Sequence, residues 1–403
     1  AHIAQSTSEL LSKMLLSTHN APNLTSMRLR DFFAHVVDTA LADKQLPALQ
    51  RYDLLYDLIP RAKEAGAAEA SERAARGLLA AAPAAAGARS LHVAVAHDYV
   101  AGAVIHARGR EALEEAAQQL RSAKALYDEL NLHTNPEYLM THLRAQIRLH
   151  HLRGEYGDML QEARAAVVIA QKHRPGLRWN FHPLLVSALA ANGDWKAAAA
   201  EADWAVAQAE AAVATTPDLA NMLDWLRSRS CEMRARNDAA SAKAVCDPLL
   251  ARLERDNRLA TRIGKDALMG RAIALTAEGQ HDAALAALQM AVNGLDAVEG
   301  AQSQTVDRLE LDRVRGRALF ASGRLADAET VQRSVLDAQV RRLGPDHPES
   351  LQLCIELHET LRAAGKAFGE AIPPGAAQDV RRLAVDWRNR WDALRLTSTG
   401  VAL

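Results

Sequence analysis

Basic side chains recur along this 403-residue chain in small sets: Arg144, Arg148 and His151; Arg227 and Arg234 on either side of Cys231; Arg313 and Arg317; and Arg362. Steps of three, four or seven residues return to one side of an α-helix. Guanidinium groups gathered on such a face present fork-shaped donors suited to carboxylates, and several in one concavity reinforce each other's field. The chemistry they suggest is capture of an acidic ligand. The competing reading is that acids of the same surface, Asp224, Asp266 and Glu310, neutralise them in exposed pairs that contribute little.

Other reactive side chains point nowhere in particular. His142, His150 and His151 invite a metal reading, but adjacent residues on a helix point about 100° apart. No ligand pair has zinc-like spacing, so neither metal nor cofactor is expected. Three cysteines, Cys231, Cys246 and Cys354, are too few and scattered for a disulfide framework. The phosphate loop, the dinucleotide-binding glycines, the H-E-x-x-H helix, the nucleophile elbow and the kinase H-R-D and D-F-G signatures are all missing from the sequence. The expectation is a chain that binds and does not catalyse, with any kinase domain of the full-length protein lying upstream.

The elements that hold these residues follow from composition. Hydrophobic residues make up 49% of the chain and aromatics only 4%, a balance that suits close helix packing better than a sheet. The fold class expected is all-α. Lysine and arginine number 48 against 49 acids, so a net charge of −1 offers no global attraction to nucleic acid or an acidic membrane. No run of 18 apolar residues spans a bilayer. Ala1 to Lys13 lack the pattern of a signal peptide, and the missing initiator Met reads as upstream sequence removed.

Small or turn-forming residues then reveal a period. Gly66, Gly109, Gly154, Gly193, Asn237, Gly279, Gly323 and Gly365 succeed one another at 43, 45, 39, 44, 42, 44 and 42 residues. A fixed spacing of that order marks a stacked array, each marker closing one helix in a left-handed conformation that glycine or asparagine tolerates. In "DALMGRAIALTAEGQHDAALAALQMAVNGL", Leu275 precedes Gly279 by four, and Ala284, Leu288 and Ala291 follow it at five, nine and twelve. "VRGRALFASGRLADAE" repeats this with Gly316, Leu319, Gly323 and Ala328, and "LLVSALAANGDWKAAAAEADWAV" with Leu189, Gly193, Ala198, Ala202 and Ala205.

These segments resemble the tetratricopeptide motif, and "RRLGPDHPESLQL" resembles the linker of its kinesin-light-chain variety. Met159, Glu114, Ser71 and Glu370 depart from it where the motif prefers alanine. The resemblance implies a helix-turn-helix superhelix, an α-solenoid, with a tether or short helix over 1–24, a capping helix over 25–48, about eight repeats over 49–372, a final capping helix over 376–395 and a tail over 396–403. In such an array the first helices line the concave surface. The slots ten, six and three residues before each marker then give Arg144, Arg148 and His151; Arg227, Cys231 and Arg234; Arg313, Arg317 and Phe320; and Ile355, Glu359 and Arg362. Tyr99, His106 and Asn180 join them. Cys246 and Cys354 fall in core slots, and Cys231, on the groove face, is the one thiol a reagent would reach.

The opening stretch, "LLSKMLLSTHNAPNLTSMRLRDFFAHVVDTALADKQLPALQRYDLLYDLIPRAKEAG", resembles the region following the membrane helix of bacterial transmembrane serine/threonine kinases that carry such arrays. That implies a periplasmic sensor portion binding a protein or acidic peptide. The alternative is the effector-binding arm of a cytoplasmic transcription regulator or signalling ATPase.

Overall fold

The computed structural model describes residues 29–135, 138–173, 181–213, 219–299 and 305–366. Among them every regular element is a helix, and the fold is an all-α stack of helix pairs of the α-solenoid class. The chain divides into two compact units, Ala1–Leu152 with Gln161–Pro175, and Arg153–Leu160 with Gly176–Leu403. In the first, α1 (Leu29–Ala42) packs on both members of the pair α2 (Ala48–Glu64) and α3 (Ala68–Ala86). The pair α4 (Leu91–Arg108) and α5 (Leu113–Glu129) follows. A π-helical turn, Tyr138–Leu143, then leads into α6 (Arg144–Arg153) and α7 (Tyr156–His173). The second unit holds α8 (His182–Ala191) with α9 (Trp195–Val213), α10 (Ala220–Asn237) with α11 (Ala239–Arg255), and α12 (Arg262–Ala277) with α13 (His281–Glu299). It continues through α14 (Val306–Ala321), α15 (Leu325–Leu343) and α16 (Pro348–Ala363). There α10 packs on α12 and α12 on α14, so first helices lie side by side.

The turns explain why each pair folds back. At Gly279 (φ 76°) the amides of Glu278, Gly279 and Gln280 return to the carbonyls of Ala274, Thr276 and Leu275, closing α12 before α13 begins. That left-handed conformation would strain any residue with a Cβ. All seven glycine markers take positive φ. Asn237 does not: it ends α10 in helical geometry, and Asp238 makes the turn with extended backbone (φ −150°, ψ 98°) while its carboxylate caps α11 at the Ala240 amide. The cap satisfies an amide that the helix leaves open, so no left-handed residue is needed there.

Small residues seal the pairs where the register places them. Ala198, Ala284 and Ala328 are fully buried, and Leu275, Leu288 and Ala291 pack in one cluster with Leu311, Val314 and Ala318 of α14. Removing a side chain such as Leu288 from water contributes about 2 kcal/mol. Two departures from the alanine pattern have physical reasons. Ser71 is buried and donates to the Ile59 carbonyl at 3.0 Å, tying α3 to α2. After Gly109 a 3-10 turn, Gly109–Ala112, delays α5, so Ala112 and Ala116 enter the core and Glu114 faces solvent. The expected tether over 1–24 and capping helix over 376–395 lie outside the described residues, as does the start of the cap expected over 25–48. No described helix is long and apolar enough to cross a membrane.

Candidate functional site

The sequence-selected basic residues fall into two different environments. In the second unit they are paired. Arg227, on α10, donates to Glu210 of α9 at 2.7 Å, and Arg234 grips Asp203 of α9 with two bonds of 2.9 and 2.7 Å. Ser230 donates to the same Asp203 carboxylate at 2.5 Å. On α14, Arg313 reaches Glu356 of α16 at 2.8 Å, and Arg317 bonds the same oxygen. Burial alone would lift the Glu356 carboxyl, but the two arginines outweigh it and hold it below the ordinary range. Arg362 lies exposed near the end of α16.

The acids expected to neutralise these arginines serve other cations. Asp224, nearly inaccessible, takes Arg252 of α11 and, at 2.8 Å, Arg258. Glu232 is equally buried and lies between Arg229 at 2.6 Å and Arg236 at 3.0 Å. Lys265 is buried on α12, with Asp266 at 2.6 Å, Asp307 at 2.9 Å and Glu310 at 3.6 Å around its ammonium. Desolvation would lower that lysine, yet the three carboxylates push it above the usual range. Asp266, Asp307 and Glu310 stand close enough to share a cation, and the ammonium of Lys265 is the charge among them.

The first unit is built from aromatic rings and one exposed guanidinium. Tyr56, Tyr99 and Arg144 each stand ten residues before a turn glycine, on α2, α4 and α6 in succession. Tyr56 meets Tyr99 edge to face at 5.1 Å, Tyr52 stacks on Tyr56 at 6.3 Å, and His92 closes on Tyr52 at 4.8 Å. Desolvation pulls the Arg144 guanidinium below the ordinary arginine range, and the only opposing influence is Tyr99. No carboxylate among the described residues pairs with it. Arg148 and His151 lie half-buried further along α6 and its flank.

The turn that leads into Arg144 is held by a buried network that sequence reasoning missed. Asp98, on α4, is inaccessible and accepts from Tyr127 of α5 at 2.8 Å, from Thr141 at 3.1 Å and from His142 Nδ1 at 2.7 Å. Thr141 and His142 belong to the π-helical turn that runs directly into Arg144. Tyr138 stacks on the His142 ring at 5.1 Å with planes 20° apart. Burial raises the Asp98 carboxyl against the pull of its donors. The one available signal was an acid one residue before Tyr99, turned about 100° from the groove slot.

Cys231 corrects the sequence expectation. It is fully buried and joined to Cys246 by a disulfide, 15 residues apart across the α10–α11 turn. The six-before slot is covered here because α12 brings Gly270, without a side chain, against the sulfur; a Cβ there would lie 2.6 Å from it. Cys354 is a buried free thiol, pushed up to about 11 by burial.

No family model matches this chain, and no curated protein does. Among solved structures, BtubC (BKLC) from P. vanneervenii resembles it with 16% identity and a TM-score of 0.37, over 65% of this chain and 94% of that one. A likeness at that level bears on no residue of the site.

Proposed function

We propose that this chain is a non-catalytic, protein- or peptide-binding repeat domain whose ligand carries acidic groups. The observation that supports it is Arg144, a guanidinium without a carboxylate partner among the described residues, following a tyrosine strip drawn from the two preceding helix pairs. An exposed guanidinium with no acid to satisfy it can take an incoming carboxylate in a charge-assisted bidentate bond. Arg148 and His151 extend this face in the first unit. Arg227, Arg234, Arg313, Arg317 and Arg362 are the contacts we assign to the second unit, where binding must compete with Glu210, Asp203 and Glu356.

The experiment is titration of a fluorescent Asp/Glu-rich peptide against the wild type and Arg144→Glu. Charge reversal should weaken binding at least tenfold, binding should fall as salt rises, and helicity should stay unchanged. Equal affinity in the variant would remove Arg144 from the reading.

We place the domain outside the cytoplasm, as the sensor portion of a bacterial signalling protein such as a transmembrane serine/threonine kinase. The Cys231–Cys246 bond supports that compartment, because disulfides persist where the environment is oxidising and are rare in the cytosol. Isolation of the native chain with both cysteines reduced would favour the cytoplasmic alternative, an effector-binding arm of a transcription regulator or signalling ATPase.

A further inference from the structure

Helix α10 is an unusual member of a packed stack. Asp224, Ser228, Ser230 and Glu232 are all buried on it, and its buried apolar side chains besides Cys231 are Leu223, Leu226, Met233 and Ala235. A helix with so polar an interior face is held less by the hydrophobic effect than by correctly placed partners. Glu232 and Ser228 are satisfied within α10, by Arg229 and Arg236 and by the Trp225 carbonyl, but the others depend on its neighbours: Asp203 of α9 for Ser230 and Arg234, and Arg252 and Arg258 for Asp224. A shift of α10 breaks several of these at once, leaving charges buried without counter-charges. The covalent tie to α11 restrains that shift.

The bond also lies under the next pair. Gly270 of α12 meets both the sulfur of Cys231 and the backbone of Glu232, where a Cβ would stand 2.6 Å and 2.9 Å from them. Ala235, Ala242 and Ala274 complete the cluster around it. Three helices therefore pack around one linkage, and both of its cysteines are fully buried.

We propose that Cys231 and Cys246 form a redox modification site on which the order of α10, α11 and α12 depends, made by thiol–disulfide exchange with a disulfide-bearing oxidant and undone by a dithiol reductant. On closure the two thiols lose two protons and two electrons, one S–S bond forms, and the oxidant's S–S bond is reduced to a dithiol. Opening is the reverse, the reductant's two thiols becoming its disulfide. Closure removes the entropy of a 15-residue loop from the unfolded chain, an effect large enough to govern local opening. Reduction leaves two small buried hydrophobes in place of a tie, and α10 is released together with the arginines it carries, Arg227 and Arg234. This inference is independent of ligand binding by Arg144, which belongs to the first unit.

Two measurements on the full chain test it. Alkylation under denaturing conditions, followed by intact mass, should add one label without reductant, at Cys354, and three labels after reduction. Hydrogen exchange should then show protection over residues 220–277 falling by about a hundredfold on reduction, with residues 48–129 unchanged. Cys231→Ala with Cys246→Ala should reproduce the reduced pattern and make it insensitive to reductant. Three labels on the oxidised chain, or exchange over 220–277 that ignores reduction, would overturn the proposal. Equal acceleration in residues 48–129 would also overturn it, since the bond would then act on global stability only.

Discussion

The two units use the same frame of small residues and turn glycines, yet they bury polarity in opposite ways. The first unit sinks one carboxylate, Asp98, among the donors of Tyr127, Thr141 and His142 and leaves Arg144 without an acid. The second sinks whole ion pairs, with Lys265 among three carboxylates, Asp224 between two arginines and Glu356 beneath Arg313 and Arg317. A charge compensated inside the fold has little left to offer a ligand. An exposed cation that no acid of the fold compensates is an unfinished interaction, and the first unit holds such a cation beside an aromatic strip.

The sharpest way to break this comparison is to strand the second unit's arginines. Glu356→Ala leaves Arg313 partly buried and unpaired and should cost about 3 kcal/mol, somewhat below a fully buried pair because both arginines retain solvent contact. Chemical denaturation should show the loss. A change under about 1 kcal/mol would mean that these pairs are surface decoration and the arginines are available after all.

In the first unit, Asp98→Asn should cost about 2 kcal/mol, because the amide cannot accept from Tyr127, Thr141 and His142 together. It should also weaken binding of the acidic peptide while Arg144 is still present, since the π-helical turn positions it. Full affinity in a destabilised Asp98→Asn would show that the network supports the fold alone.

Acid should separate the units. The Glu232 and Glu356 carboxyls are held low, so the stability they bring is present above their unfolded value of about 4.3 and lost as pH falls through the lower folded one. Asp98 is raised, so its contribution favours folding at low pH and is lost as pH rises through its folded value. Hydrogen exchange below about pH 4 should therefore quicken in α16, around Glu356, before it quickens in α4, around Asp98. The reverse order would contradict the assignment of charges.

The smallest effects belong to single exposed partners. Arg227→Ala should change stability by less than about 0.5 kcal/mol, since Glu210 is half-exposed and the pair is screened. Arg144→Ala should be as mild, having no partner to lose, yet it should remove the peptide affinity that Arg227→Ala largely retains. Equal loss of affinity in both would erase the distinction between the units.

Local physics made much of this legible in the residue order. Helix periodicity, the need for positive φ at Gly279 and the demand for a small residue at Ala284 are set by neighbours within about two turns, and a period near 42 exposes them. The same register put Tyr99 and Arg144 on one face. It did not reveal that Asp238, not Asn237, turns the chain, because a side-chain cap can replace a left-handed residue. Nor did it assign partners. Asp203 with Arg234, Glu356 with Arg313 and Asp98 with His142 join residues 31, 43 and 44 positions apart on different helices. Which acid meets which base is decided by the rotation of one helix on the next, and side-chain packing at the interface sets that rotation. Cys231 shows the same division. The sequence determined its slot on α10, but only the close approach of α12 at Gly270 decided that the slot would be buried and its sulfur joined to Cys246.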